Sequence, residues 1–254
     1  MCGFLGKISK EEFSTTRFES ANEHNICRGP DSIKRSQGRF SDIEKFDSRS
    51  FYCFLFNRLS IIDLSEEAMQ PMTSEEYKTI ILFNGEIYNH RELRSLLENK
   101  GIKFKTSHSD TEVLLNGFSY YGPSFVERII GQFAIVFVDV KKEKLFLIRD
   151  RVGQKPLYYT IDKKAVSFSS NLKSLIKIKE NDDLNERELV NYLNFGVVPS
   201  PNTLFKNISK LEPASIIEVD FSDNEIKYIK DTYWKIGDYV NNNKFDKEEF
   251  FNIF

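Results

Sequence analysis

Cysteine and histidine are scarce in this 254-residue chain, with three of each, and tryptophan occurs once. Cys2, Cys27 and Cys53 are an odd number without metal-ligand spacing, which argues against a zinc site and against a disulfide framework. At least one thiol is therefore left over for chemistry. Long apolar runs are missing as well: the longest, 133–138 and 79–83, are far too short to span a bilayer, and the N-terminus lacks a basic-then-apolar leader. The expected location is the cytoplasm. Nor is there an excess of either charge: 36 Lys and Arg against 38 Asp and Glu give a formal net charge of −2. Nucleic acid is not expected as a partner, because it calls for a basic face, and the short apolar runs argue against a membrane. No internal repeat or flexible linker interrupts the chain, and the only low-complexity tract is Asn241-Asn242-Asn243.

What is present is an ordinary globular composition, 40% hydrophobic and 29% charged, long enough to bury a substantial core. Short β-rich runs recur at 2–8, 50–56, 79–83, 133–140, 144–148, 157–161 and 165–168. Several are apolar nearly throughout, as in strands covered on both faces. Helical spacing appears at 89–100, where Leu93, Leu96 and Leu97 share a face that stops at Gly101. It reappears after Ser109-Asp110-Thr111-Glu112, which opens a segment carrying Val113, Leu114 and Phe118. Beyond an acidic loop at Asn181, the stretch from Leu184-Asn185-Glu186-Arg187-Glu188 reads as a capped helix running through Phe195 to Gly196. A turn at Pro199-Ser200-Pro201 and strands at 215–219 and 225–234 complete one domain. Sheets with helices layered outside them are the expected architecture. The final run, 246–254, has a helical pattern without a C-terminal cap and reads as cut.

Residue 2 carries the sharpest chemical signal. If Met1 is removed, Cys2 holds a thiol and a free α-amine on one residue, a nucleophile beside a base that titrates near neutrality. Four polar clusters interrupt the strands. Arg28-Gly29-Pro30-Asp31 reads alone as a rigid surface turn. In Asn57-Arg58-Leu59-Ser60 an arginine ends an apolar strand, and its planar fork suits a carboxylate ligand. Asn84-Gly85, opening Asn84-Gly85-Glu86-Ile87-Tyr88-Asn89-His90, reads by itself as a hairpin turn. Ser109-Asp110-Thr111-Glu112 is the fourth. A Cys/His hydrolase built on Cys27 or Cys53 is the weaker alternative, because no histidine lies in a motif that would orient it toward either thiol.

Taken in order, MCGFLG, RGPD, NRLSIIDLS, QPM, FNGEIYNH, SDTEVLL, GQFAIVFVD and RDRVGQKPLYY resemble the glutaminase domain of glutamine-hydrolysing asparagine synthetases. These are class II glutamine amidotransferases, within the N-terminal nucleophile hydrolases. The resemblance covers residues 2–234, leaving 235–254 as the start of a synthetase domain or a tail. It implies an α+β fold, a four-layer αββα sandwich with two mostly antiparallel sheets between helices. It also implies a site: Cys2 attacks the glutamine side-chain amide, Asn84 and the Gly85 N–H receive the oxyanion, Arg58 grips the α-carboxylate, and Glu86 and Asp110 bind the α-ammonium. Asp139 and Asp150 are expected to be turn or salt-bridge residues, and the RDRVGQKPLYY stretch structural.

Two departures from the family's wording matter. Cys27 stands where a histidine usually precedes Arg-Gly-Pro-Asp, and no serine-glycine-glycine loop for ATP pyrophosphate occurs in the chain. The glutaminase reaction needs no cofactor; ATP and Mg are expected only for the synthetase domain. Glutamine is thus the expected small-molecule substrate and a synthetase domain, in cis or in trans, the expected partner, with a homodimer left open. A truncated enzyme fits better than a standalone subunit. Other readings are a glutaminase serving a different acceptor and a silent binding module that keeps the fold.

Overall fold

The computed structural model describes residues 2–43, 48–60, 65–179 and 183–239. Met1, positions 61–64 of the NRLSIIDLS motif, part of the acidic loop at 180–182 and the expected helix at 246–254 lie outside them. In chain order the elements are β1 (Gly3–Ser9), α1 (Thr16–Ile26), β2 (Ser32–Arg39), β3 (Phe51–Arg58), β4 (Met72–Ser74), β5 (Thr79–Ile87), α2 (His90–Glu98) and α3 (Asp110–Tyr121). There follow β6 (Gly131–Asp139), β7 (Lys144–Arg149), β8 (Tyr158–Ile161), β9 (Ala165–Ser169), α4 (Leu172–Ile178), α5 (Glu186–Phe195), β10 (Ser209–Lys210), β11 (Ser215–Asp220) and β12 (Lys227–Thr232).

Two six-stranded sheets form, in the orders β10-β8-β9-β1-β3-β2 and β12-β11-β7-β6-β5-β4, with every pairing antiparallel. They stack with β1 against β5. Alternation sorts each strand's side chains into two layers. Phe4 and Ile8 of β1, Phe54 and Phe56 of β3, Ile80 and Leu82 of β5 and Phe168 of β9 fill the space between the sheets. The opposite set on β5, Ile81, Phe83 and Ile87, packs outward against α2 and α3. Leu5, Cys53 and Leu55 pack outward beneath Phe18 of α1 and Leu175 of α4. Helix, sheet, sheet, helix is the αββα order that the motifs imply.

The strand runs and the helices at 89–100, 109–121 and 185–195 appear close to their expected bounds. Five elements had no sequence signal: the short β4 and β10, and α1, β2 and α4. On α1 the buried face comprises Phe18, Ala21, Asn22 and Asn25, so asparagine fills half of an otherwise apolar stripe. Strand β2 has no fully buried residue and is held as a sheet edge by its ladder to β3. The short α4 starts on Asn171, whose side chain accepts from the Lys173 N–H.

One expectation is corrected here. Asn84-Gly85 is no hairpin turn, because β5 runs straight through both residues to Ile87, with Asn84 opposite Ala134 and Gly85 opposite Phe133. Glycine is needed for packing: a Cβ at residue 85 would lie 2.1 Å from the Gln132 carbonyl oxygen and 2.8 Å from the Phe133 Cα. Asp139 pairs with Lys142 at 2.9 Å. Asp150 receives the N–H groups of Val152, Gln154, Lys155 and Phe133, so both carboxylates organise turns.

Candidate active site

Strand alternation gives four of the expected residues the inter-sheet parity. Cys2, one residue before β1, has the parity of Phe4 and Ile8 and packs against the inter-sheet cluster. Arg58, the last residue of β3, has the parity of Phe54 and Phe56. Asn84 and Glu86 share the parity of Ile80 and Leu82 on the facing strand. Cys2, Arg58 and Asn84 project into the space between the sheets while Glu86, of the same parity, is exposed, and Gly3 is paired with Asn57 so that Cys2 lies beside the Arg58 end of β3. Asp110 arrives from outside that layer, as the first residue of α3.

Cys2 is half-buried. Its sulfur accepts the Leu59 N–H at 3.4 Å, and the thiol lies 3.7 Å from the Leu59 carbonyl. Burial pushes the thiol pKa up, while the Leu59 backbone and the Arg58 charge pull it back and the Asp110 carboxylate raises it. A thiol so placed needs a base to ionise near neutrality. The Arg28 Nε donates to the Cys2 carbonyl at 3.3 Å, so the RGPD turn braces the Cys2 backbone and is more than a surface turn.

Arg58 is only 8% exposed and donates through Nη1 to the Ser65 carbonyl at 2.8 Å, which aims a rigid, always-charged fork within a protein interior. Asp110 is 6% exposed and accepts the Ile87 N–H at 3.3 Å. Burial lifts its carboxyl from 3.8 to about 6. The Ile87 N–H, the His90 charge and the Thr111 backbone oppose that lift, and Glu86 adds to it. A buried acid with a neighbouring acid is a site that gains from a bound cation.

The hydrogen-bond parity of β5 directs alternate backbone N–H groups away from its partner strand β6. Phe133 turns both its N–H and its carbonyl toward Asp150, at 3.2 and 2.9 Å, and so away from β5. The Gly85–Phe133 pair is therefore the non-hydrogen-bonded kind, and the N–H groups of Phe83, Gly85 and Ile87 point off the free edge of β5. Gln70 Oε1 takes the first at 2.6 Å and Asp110 takes the third. The Gly85 N–H between them remains directed outward. Next to it, Asn84 is fully buried, and neither its Oδ1 nor its Nδ2 has a hydrogen-bond partner among the described residues. An unpaired buried amide costs stability and is accounted for if a ligand completes it.

Four of the groups found here had no site role assigned from the sequence, although Gln70 and His90 lie within the QPM and FNGEIYNH motifs. The Leu59 N–H, Gln70 and His90 act on or through the backbone, which no residue pattern announces. Lys155 lies in the stretch treated as structural. It is a largely buried lysine whose pKa is lowered by burial and by Arg28, in electrostatic contact with Asp150, Glu86 and Cys2. Cys53 is buried and its thiol is pushed up to about 11 by burial, while Cys27 is exposed, its sulfur 3.7 Å from the His24 carbonyl. Neither thiol is posed as a nucleophile. Among the described residues no group of three or more His, Cys, Asp or Glu could hold a metal ion, and no helix is long and apolar enough to cross a membrane.

Comparison with known proteins identifies the family and the fold. A family model described as a glutamine amidotransferase domain matches residues 1–234. Asparagine synthetase [glutamine-hydrolyzing] 1 of Bacillus subtilis is 37% identical over 240 residues, 92% of this chain and 35% of that relative. A putative asparagine synthetase [glutamine-hydrolyzing] 2 of Methanocaldococcus jannaschii is 34% identical over 94% of this chain and 47% of its own length. The chain thus spans between a third and a half of these curated relatives. Among solved structures, an allosteric regulatory enzyme of purine biosynthesis has a TM-score of 0.63 at 15% identity, covering 92% of this chain and 49% of its own. Glutamine phosphoribosylpyrophosphate amidotransferase from B. subtilis has a TM-score of 0.58 at 16% identity. At such identities the likeness concerns the fold.

Proposed function

The chain belongs to the glutamine amidotransferase domain family, and from that premise we propose that Cys2 hydrolyses the side-chain amide of glutamine to glutamate and ammonia. The observation that carries this reading is the fully buried Asn84 amide without a partner among the described residues, beside the outward Gly85 N–H, two donors able to hold an oxyanion. After loss of Met1, the Cys2 α-amine takes the thiol proton as sulfur attacks the amide carbon. The tetrahedral oxyanion is held by the Asn84 Nδ2 and the Gly85 N–H. Collapse breaks the C–N bond, the α-amine returns the proton to the leaving nitrogen, and ammonia departs. Water then attacks the thioester, releasing glutamate and the thiol.

Selectivity follows from charge. Arg58 clamps the α-carboxylate, and Glu86 with Asp110 holds the α-ammonium, so one cation and two anions select a zwitterionic amino acid. The ammonia serves an ATP-dependent amidation of aspartate in a synthetase domain, supplied in cis or in trans, and ATP and Mg belong to that part. Residues 2–234 form the glutaminase unit, working in the cytoplasm.

Glutamate release from glutamine tests the reading, with the intact mass checked for loss of Met1. Cys2→Ala should reduce release at least ~1000-fold. Equal rates in the two proteins sink the proposal, and retained Met1 in an inactive, folded protein would favour a silent module.

A further inference from the structure

Helix α5 is inverted relative to an ordinary surface helix. Its one buried residue is Glu188, 2% exposed, which accepts from Asn191 Nδ2 at 3.1 Å and Asn202 Nδ2 at 2.8 Å. Its apolar residues face solvent: Leu193 is 75% exposed and Phe195 71%, with Leu189, Val190 and Tyr192 exposed beside them. Surface helices owe most of their stability to burying an apolar stripe, and among the described residues none of α5's apolar side chains is buried. An apolar surface of this kind marks an interaction site.

Topology fixes which flank of the sandwich it occupies. β1 lies against β5, and Lys34 of β2 donates to the Pro71 carbonyl just before β4, so the β2 and β4 edges share one side. The opposite edges, β10 and β12, then share the other. α5 is tied to the β10 side by the Leu184–Phe205 bridge, the Asn185 N–H to the Leu204 carbonyl and the Lys210 N–H to the Pro201 carbonyl. All six residues of β12 are exposed, Tyr228 and Ile229 among them. One flank thus combines an outward apolar helix with an uncovered strand, and the family match stops at residue 234, two residues beyond that strand. Polypeptide continuing from the matched domain emerges at this flank. The relatives carry a great deal of it, since the chain matches only 35% and 47% of their lengths.

We propose that the flank formed by α5 and β12 is the docking surface for the synthetase polypeptide that the longer relatives carry outside this chain's span. The inference rests on the reading that this glutaminase feeds a synthetase partner. An apolar, water-excluding contact of this type would hold the partner against the domain from which ammonia is released.

Carbene footprinting read by mass spectrometry tests it. In the 254-residue chain alone, Leu193 and Phe195 should label freely at every protein concentration. In the intact B. subtilis relative the residues aligned with α5 should label at least threefold less, and in a chimera carrying this chain in place of the matching stretch, α5 itself should be protected to the same degree. Free labelling of the aligned helix in the intact relative overturns the proposal without any engineered protein. Concentration-dependent protection in the chain alone also overturns it, by making a second copy the occupant. The double variant Leu193→Ser, Phe195→Ser should leave glutamate release by the chain unchanged but lower asparagine formed per glutamine consumed by the chimera; unchanged coupling counts against the surface. Protection of α5 without glutamate release from either protein would defeat the glutaminase reading and leave the docking surface standing.

Discussion

Asp110 is held against its own charge: burial raises its carboxyl to about 6, so at neutral pH the folded protein carries an ionised acid that it stabilises poorly. Between about pH 4 and 6 the folded state binds more protons at this group than the unfolded state, so its contribution to stability falls as pH rises through that window. Asp110→Asn should therefore stabilise the ligand-free protein by about 3 kcal/mol at pH 7.5, an advantage that vanishes near pH 3.5. Urea unfolding at the two pH values measures it. The same variant should weaken glutamine binding, and in the wild type the apparent KM should rise as pH falls through 6, because the protonated acid no longer pairs with the ammonium. A pH-independent KM would remove Asp110 from the substrate pocket. Arg58→Ala should raise KM with little change in kcat, since a carboxylate clamp acts equally on the ground and transition states. Gly85→Ala is a structural lesion first: the added methyl would meet the Gln132 carbonyl oxygen, and loss of about 3 kcal/mol is expected in the same urea assay.

Among the elements, those with sustained apolar alternation were legible and those defined by polar contacts were not. β5, β6 and β7 are covered on both faces and show it as continuous apolar runs. The Asn84-Gly85 pair has the composition of a tight turn, and only the β6 partner strand shows that the chain continues straight. The helix starting at Asn185 was expected to be capped, yet the Asn185 side chain makes no cap bond, and Glu188 turns inward to Asn202. At α3 the Ser109 side chain does accept the Glu112 N–H at 3.4 Å, but Glu112 reaches Lys105 and Thr106 instead of closing a reciprocal box. Because Glu188 is the single buried anchor of α5, Glu188→Ala leaves two asparagine amides unpaired, and that helix should loosen by about 2 kcal/mol. Hydrogen exchange should accelerate across residues 186–195 while β5 and β6 keep wild-type protection. Equal acceleration everywhere would mean that Glu188 supports the whole fold.

On the scale of the whole molecule, the inter-sheet layer is both core and site wall. Phe168 meets Phe4 edge-on and Phe54 at a tilt, with centroids 6.2 and 5.9 Å apart, and fills the space left by Gly6. Phe168→Ala should cost 3–5 kcal/mol and reduce glutamate release in proportion to the folded fraction, because Cys2 packs on the same cluster. The sequence by itself determined the strand and helix types with long periodic patterns and pointed to the candidate nucleophile, since periodicity and ordered motifs are properties of the chain alone; the six expected site residues came through the resemblance those motifs carry. The tertiary structure decided the rest. It showed that Cys2, Arg58 and Asn84 share a layer because their strands have matching parity, that the Gly85 N–H is open because Phe133 bonds the other way, and that α5 faces outward. Each of these depends on what another strand or helix presents across a gap, which no single segment of sequence contains.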